Sequence, residues 1–148
     1  MIGCDMNGIM AFTSDQEEPQ YINGIYTGLK GQCVEYARRW LIQIKQCTFE
    51  SISAAIDLWD MTHVTRLDGT LLPFVSIRYT ETPLVGDFLI YKRHETIPHG
   101  HVAVVVGVYD KSIFLAEQNW SKREWTGYSR YIDMDTVQSQ ILGFKRIN

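Results

Sequence analysis

Between Gln32 and about Gln46 the apolar positions Cys33, Ala37, Trp40, Leu41 and Ile44 recur at i, i+4, i+7, i+8 and i+11, the stripe of an amphipathic helix. A second helical segment is predicted over "SISAAIDLWDM", where Ser51 or Ser53 offers a cap before an apolar run through Ile56, Leu58 and Trp59. Asp68-Gly69 marks a turn. After "TETPLVGD", a turn built on Pro83 and Gly86, the period changes. Phe88 to Tyr91 is a short aromatic and aliphatic run that reads as a strand. "HVAVVVGVY" (His101 to Tyr109) and "IFLAEQNW" (Ile113 to Trp120) flank a tight polar connection at Asp110 to Ser112, which predicts a hairpin. "TGYSRYID" and "ILGFKRI" supply two more strands. The first twenty residues, with Gly3, Gly8, Pro19 and a solvated acidic run from Asp15 to Glu18, read as a loop-rich lead-in across the surface. Helices first and antiparallel strands afterwards predict an α+β fold, with N-terminal helices packed on an antiparallel sheet.

A chain of 148 residues, 45% hydrophobic and 21% charged, suits one domain with a core of its own, spanning residues 1–148. Its formal charge of −3 offers no clustered basic surface for nucleic acid. The three cysteines, Cys4, Cys33 and Cys47, are odd in number and lack the short paired spacing of a zinc site or a redox motif. No disulfide framework is expected. The N-terminus has neither a basic start nor a sustained apolar run, and nowhere do eighteen apolar residues follow one another, so the expected location is the cytoplasm, away from membranes. "MIGC" resembles a lipoprotein cleavage site around Cys4 but lacks a hydrophobic segment before it.

Chemistry enters at Cys33. It stands at the predicted helix start, straight after a Gly-Gln turn, where unpaired N–H groups and the macrodipole favour a thiolate. The competing reading is a small buried hydrophobe on the helix stripe. Cys4, in a predicted loop, and Cys47, past the helix end, lack that placement. A cysteine nucleophile needs an imidazole to take and return its proton, and a third group to hold the ring. Of four histidines, His63, His94 and His99 fall in segments that read as exposed loops. His101 opens the most apolar strand, after the "HETIPHG" loop, which could form one wall of a cleft.

Hairpin parity decides what His101 meets. With a three-residue loop, opposed residue numbers sum to 222, or to 220 after a one-residue slip. Even sums put His101, Glu117 and Asn119 on one face. A two-residue turn would invert the parity and put Ala116 and Gln118 there instead. A carboxylate at the end of an apolar strand needs a partner, which favours Glu117 as the group orienting His101.

"GQCVEYARRWL", "GDFLIY", "GHVAVV" and "AEQN", in that order, resemble the CHAP family (cysteine, histidine-dependent amidohydrolase/peptidase), a papain-like and NlpC/P60-like group of amide hydrolases. Within it the likeness is to the amidase domains of glutathionylspermidine synthetase/amidase and trypanothione synthetase. The resemblance implies Cys33 as nucleophile, His101 as general base and Glu117 as the residue orienting the imidazole. Gln32 matches a residue beside the developing oxyanion, while Arg38 and Asn119 match substrate-contacting positions. Arg38 could clamp a glycine or glutathione carboxylate, or could be a surface salt bridge. Asp87 reads as a turn and strand-start residue. The implied reaction is hydrolysis of an amide, most simply glutathionylspermidine to glutathione and spermidine, with no cofactor, metal or obligate partner. The large ATP-grasp synthetase of the bifunctional relatives does not follow here, which leaves the substrate open. The alternatives are a peptidoglycan-directed CHAP amidase or endopeptidase, expected to carry an export signal or wall-binding repeat, and a non-catalytic binding module.

Overall fold

The computed structural model describes residues 1–14 and 17–148, so Asp15 and Gln16 of the predicted acidic run lie outside the described residues. In chain order the strands are β1 (Gly3–Asp5), β2 (Met10–Ala11), β3 (Pro19–Ile22), β4 (Ile25–Leu29), β5 (Cys47–Thr48), β6 (His63–Arg66) and β7 (Leu71–Arg78). They continue with β8 (Phe88–Tyr91), β9 (His101–Tyr109), β10 (Ser112–Ala116), β11 (Trp125–Gly127), β12 (Arg130–Asp133) and β13 (Ile141–Ile147). Helix α1 spans Cys33–Lys45 and the short α2 spans Met134–Val137. Among the described residues the main sheet runs β12-β10-β9-β8-β13-β7-β6-β5, every neighbouring pair antiparallel. The fold is α+β.

The apolar run in β8 and β9 is continuous because both faces of these central strands are covered; Phe88 to Val106 of the two strands are buried on alternating sides. On one side Val102, Val104, Phe88 and Ile90 pack with Tyr36, Ala37, Trp40 and Leu41 of α1. On the other, Leu89, Ala103, Val105, Leu115 and Phe144 pack with Val137 of α2.

Helix α1 follows the predicted bounds, with Gln32 as its N-cap and Gln46 in the left-handed conformation as its C-cap. Gly31 precedes it at φ +85, and a Cβ there would sit 2.4 Å from the Ser14 backbone. Ile44 of the predicted stripe is 38% exposed, whereas Tyr36 and Ile42 are buried.

Three other expectations need correction. The second helical segment is a 3₁₀ helix over Ala55–Asp60, capped not by Ser51 or Ser53 but by Asp57 Oδ2, which accepts from the Ala54 N–H at 3.0 Å. The lead-in is part of the core: Ile2, Ile9 and Ala11 are buried, β1 pairs with β2 and in parallel with β11, and Cys4 lies on β1. The turn at Asp68-Gly69 joins two strands that periodicity did not show, β6 and β7, so His63 opens a strand and Cys47 lies buried on β5. Asp87, buried at the start of β8, accepts the Leu84 N–H and a two-pronged bond from Arg146 at 2.8 and 2.7 Å.

The hairpin is where register and chemistry meet. Tyr109 pairs with Ser112, so the loop is only two residues, with Asp110 at φ 55. That gives odd sums through Phe114 and Gly107. Leu115 then pairs with Val105 and Ala116 with Val104, leaving Val106 as a bulge. The extra residue restores the even sum of 220 just before the strand ends.

Candidate active site

Cys33, His101 and Glu117 converge from three directions. Cys33 is the first residue of α1, where its own N–H has no partner inside the helix. His101 is the first residue of β9 and Glu117 follows the last residue of β10. Because the bulge returns the hairpin to even parity, the Glu117 side chain lies on the face of His101, and its Oε1 stands 2.8 Å from His101 Nε2. Both residues are buried, at 2% exposure. The Cys33 thiol lies close enough to the same imidazole for each to shift the other's titration. With Nε2 committed to Glu117, Nδ1 is the ring nitrogen left for the sulfur.

The electrostatics are mutually supporting. Burial pushes the Cys33 thiol up, but the charge and hydrogen bond of His101, together with the backbone N–H groups of Val102 and Val34, bring it below its ordinary value. Burial pulls His101 down, and Cys33 and Glu117 outweigh it, raising the imidazole to about 9. Burial raises Glu117, and His101 and Arg130 more than reverse this, to about 2. The arrangement therefore favours the anionic form of the thiol, the cationic form of the imidazole and the ionised form of the carboxylate.

A cleft of about 530 Å³ opens over Cys33. Gln32, Arg38 and Asn119 line it, as do Tyr26 and Ser51 to Ala55. The wall predicted from the "HETIPHG" loop is present as Thr96 to Gly100. The Ala54–Ala55 wall is tethered to the sheet through the following 3₁₀ helix, where the buried Lys145 Nζ donates to the Trp59, Met61 and Phe74 carbonyls and meets Ser76 Oγ. Asn119, exposed and at φ 62, donates from Nδ2 to Gln32 Oε1 at 3.3 Å. Arg38 is buried and donates to the carbonyls of Thr27, Phe49 and Glu50, so it is not a surface ion pair.

Several residues that the sequence reading did not single out build this site. Gln118 is buried with its amide fully used: Oε1 accepts from Phe12 N–H and Arg39 Nη2, and Nε2 donates to the Gln32 carbonyl and Glu35 Oε1. Glu35 also accepts from Thr27 Oγ1 at 2.6 Å and from Arg39. This network clamps the Glu117–Asn119 segment onto the start of α1. Trp120 and Tyr91 pack their rings on His101 at 4.8 and 5.7 Å between centroids. Arg130 holds Glu117 from the far side. Glu35 and Arg39 at i, i+4 were visible as a helix pair; the others carry no local signal.

Residues 23–119 match the family model described as the CHAP domain. The chain is similar to the glutathionylspermidine synthase of Crithidia fasciculata, 32% identical over 120 residues, or 76% of this chain and 17% of that protein. It is 27% identical over 135 residues to the bifunctional glutathionylspermidine synthetase/amidase of Escherichia coli (strain K12), covering 80% of this chain and 22% of that one. The chain thus spans about a fifth of the length of the curated relatives it matches. Among solved structures, Ly7917 with the hydrolyzing product of MDP superposes with a TM-score of 0.58 at 16% identity over 79% of this chain and 53% of that one, a likeness of fold.

Proposed function

This chain belongs to the CHAP domain family of cysteine- and histidine-dependent amidohydrolases, and from that premise we propose that residues 1–148 form one amidase domain that hydrolyses a linear amide through an acyl-thioester on Cys33. The observation that carries this reading is the row Cys33, His101, Glu117, in which the buried imidazole interacts with the thiol and is hydrogen-bonded to a buried carboxylate at 2.8 Å.

In the proposed reaction the Cys33 thiolate adds to the amide carbonyl carbon. The Cys33 N–H and the Gln32 side-chain amide, whose Oε1 is already occupied by Asn119, face the oxygen as its charge develops. His101 gives its Nδ1 proton to the departing amine, and the C–N bond breaks. A water then loses a proton to His101 and attacks the thioester, releasing the acid and the thiolate. Glu117 keeps the ring oriented and stabilises the imidazolium throughout. Arg38 and Asn119 are the substrate-contacting side chains, Arg38 through guanidinium hydrogens not used by the three carbonyls.

The substrate we propose is glutathionylspermidine, cleaved in the cytoplasm to glutathione and spermidine. The amidase activity named for the similar Escherichia coli protein supports it, as does a cleft that holds a buried cation at Arg38 and a carboxylate at Glu17. Among the described residues no helix is long and apolar enough to cross a membrane. The test incubates the purified chain and its Cys33→Ala variant with glutathionylspermidine and, separately, with muropeptides. Release of spermidine by the parent alone supports the reading. Cleavage of muropeptides without spermidine release replaces it with the cell-wall alternative, and hydrolysis by Cys33→Ala ends the mechanism.

A further inference from the structure

The geometry points to Arg130 as the positioning residue that locks the Glu117 carboxylate onto His101, an inference that rests on reading Cys33, His101 and Glu117 as the catalytic set. Arg130 and Leu115 are partners in the β10–β12 ladder, so the guanidinium projects beside Glu117, two residues further along. Its Nε donates to Glu117 Oε2 at 2.8 Å and its Nη2 to Oε1 at 3.0 Å. This fork fixes the plane of the carboxylate. Oε1 is the atom that also meets His101 Nε2, so one oxygen is shared between the arginine and the imidazole while the other is held away from the ring.

The same guanidinium lies 3.6 Å from the centre of the Trp120 ring and 5.3 Å from that of Tyr91, the two rings that pack against His101. Arg130 thereby holds the edge partner of the imidazole and backs the rings beside it. It lines neither the cleft over Cys33 nor the smaller hollow beside Trp125, which separates it from residues that touch substrate. The titratable and charged groups that face the pair are Cys33 from α1, Tyr91 from β8 and Arg130 from β12, with Tyr36 of α1 also feeling Glu117.

Two effects of removing Arg130 oppose each other. Its charge repels the imidazolium across the carboxylate, so losing it favours imidazolium. Its fork keeps Glu117 ionised and aimed, so losing it lets the carboxylate turn or take up a proton, and the imidazolium loses its acceptor. The bidentate geometry makes the second effect the larger.

The test needs no substrate. Alkylation of Cys33 by iodoacetamide is followed against pH in the full chain and in Arg130→Met and Arg130→Lys, with folding checked by near-ultraviolet circular dichroism. The parent should alkylate with an inflection well below that of a free thiol. In Arg130→Met that inflection should rise by about one unit, a fall of roughly tenfold in rate below it. Arg130→Lys, which keeps the charge without the fork, should lie between. If Arg130→Met does not fold, the lysine variant decides. A folded variant whose profile superimposes on the parent's, or shifts downward, overturns the inference. A parent lacking the low inflection overturns the catalytic reading itself.

Discussion

The Nε2 atom of His101 is committed to Oε1 of Glu117 at 2.8 Å, which turns the opposite edge of the ring toward Cys33. Cys33 and His101 thus favour each other's charged forms before any substrate arrives. Cys33 lies below its ordinary range and His101 is raised to about 9. Hydrolysis requires both the thiolate and the imidazolium proton, so it should rise once Cys33 ionises, hold a plateau, and fall as pH passes about 9. A rate that climbs only near the free-thiol value of roughly 8.5 would contradict that mutual support.

Replacing Glu117 by Gln should act on both activity and stability. The amide can still accept from His101, but the charge that supports the imidazolium is gone, and turnover should fall by roughly 10²-fold or more. Arg130, only partly buried, is left without its counter-charge, which costs up to about 3 kcal/mol. Urea denaturation at pH 7, alongside kcat, reads both losses.

The same two groups set a pH dependence of folding. Glu117 is lowered from 4.5 to about 2, so its contribution is present above the unfolded value and is lost as pH falls through the interval. His101 is raised from 6.5 to about 9, so its contribution is complete below 6.5 and is lost as pH rises through about 9. Denaturation midpoints between pH 3 and 10 should therefore show a broad maximum, lowered and flattened in a Glu117→Gln, His101→Gln double variant.

Gln118→Leu removes the amide that joins four partners. Leaving the Phe12 N–H and the Glu35 carboxylate short of bonds in a buried place should cost about 2–4 kcal/mol. The Glu117–Asn119 segment then loses its tie to the Gln32 carbonyl. Thermal melting measures the first effect, and iodoacetamide reactivity of Cys33 the second.

Gly100→Ala tests the approach to His101. Gly100 has φ +73, and a Cβ there would lie 2.8 Å from the Tyr91 carbonyl oxygen. The left-handed backbone alone costs about 1–2 kcal/mol, and the collision must displace the residue just before His101. Both Tm and alkylation at low pH should drop.

The elements nearest the chemistry were legible because local patterns wrote them: the α1 stripe, the buried runs of β8 and β9, and the Cys33, His101 and Glu117 motifs. The pairing of β1 with β11 was not legible, since residues 3 and 125 meet through tertiary packing alone. Neither was the depth of Arg38, Glu35 and Gln118, because a polar residue in a patterned helix or strand end reads as solvent-facing until its partners are known. Ser51 and Ser53 failed as caps because the 3₁₀ helix begins later, where Asp57 reaches back to Ala54. Arg130 and Trp120 had no signature: one lies in an edge strand, the other in a loop.

The extra residue at Val106 couples the length of the hairpin tip to the register beyond the bulge. A descendant that gains or drops one residue at the Asp110 tip must make the opposite change between Gly107 and Val105, or its acid will point to the wrong side of the sheet. Insertions and deletions at these two places should therefore have arisen in matched pairs across lineages that keep the activity, and grafts into the tip should be tolerated only in even lengths.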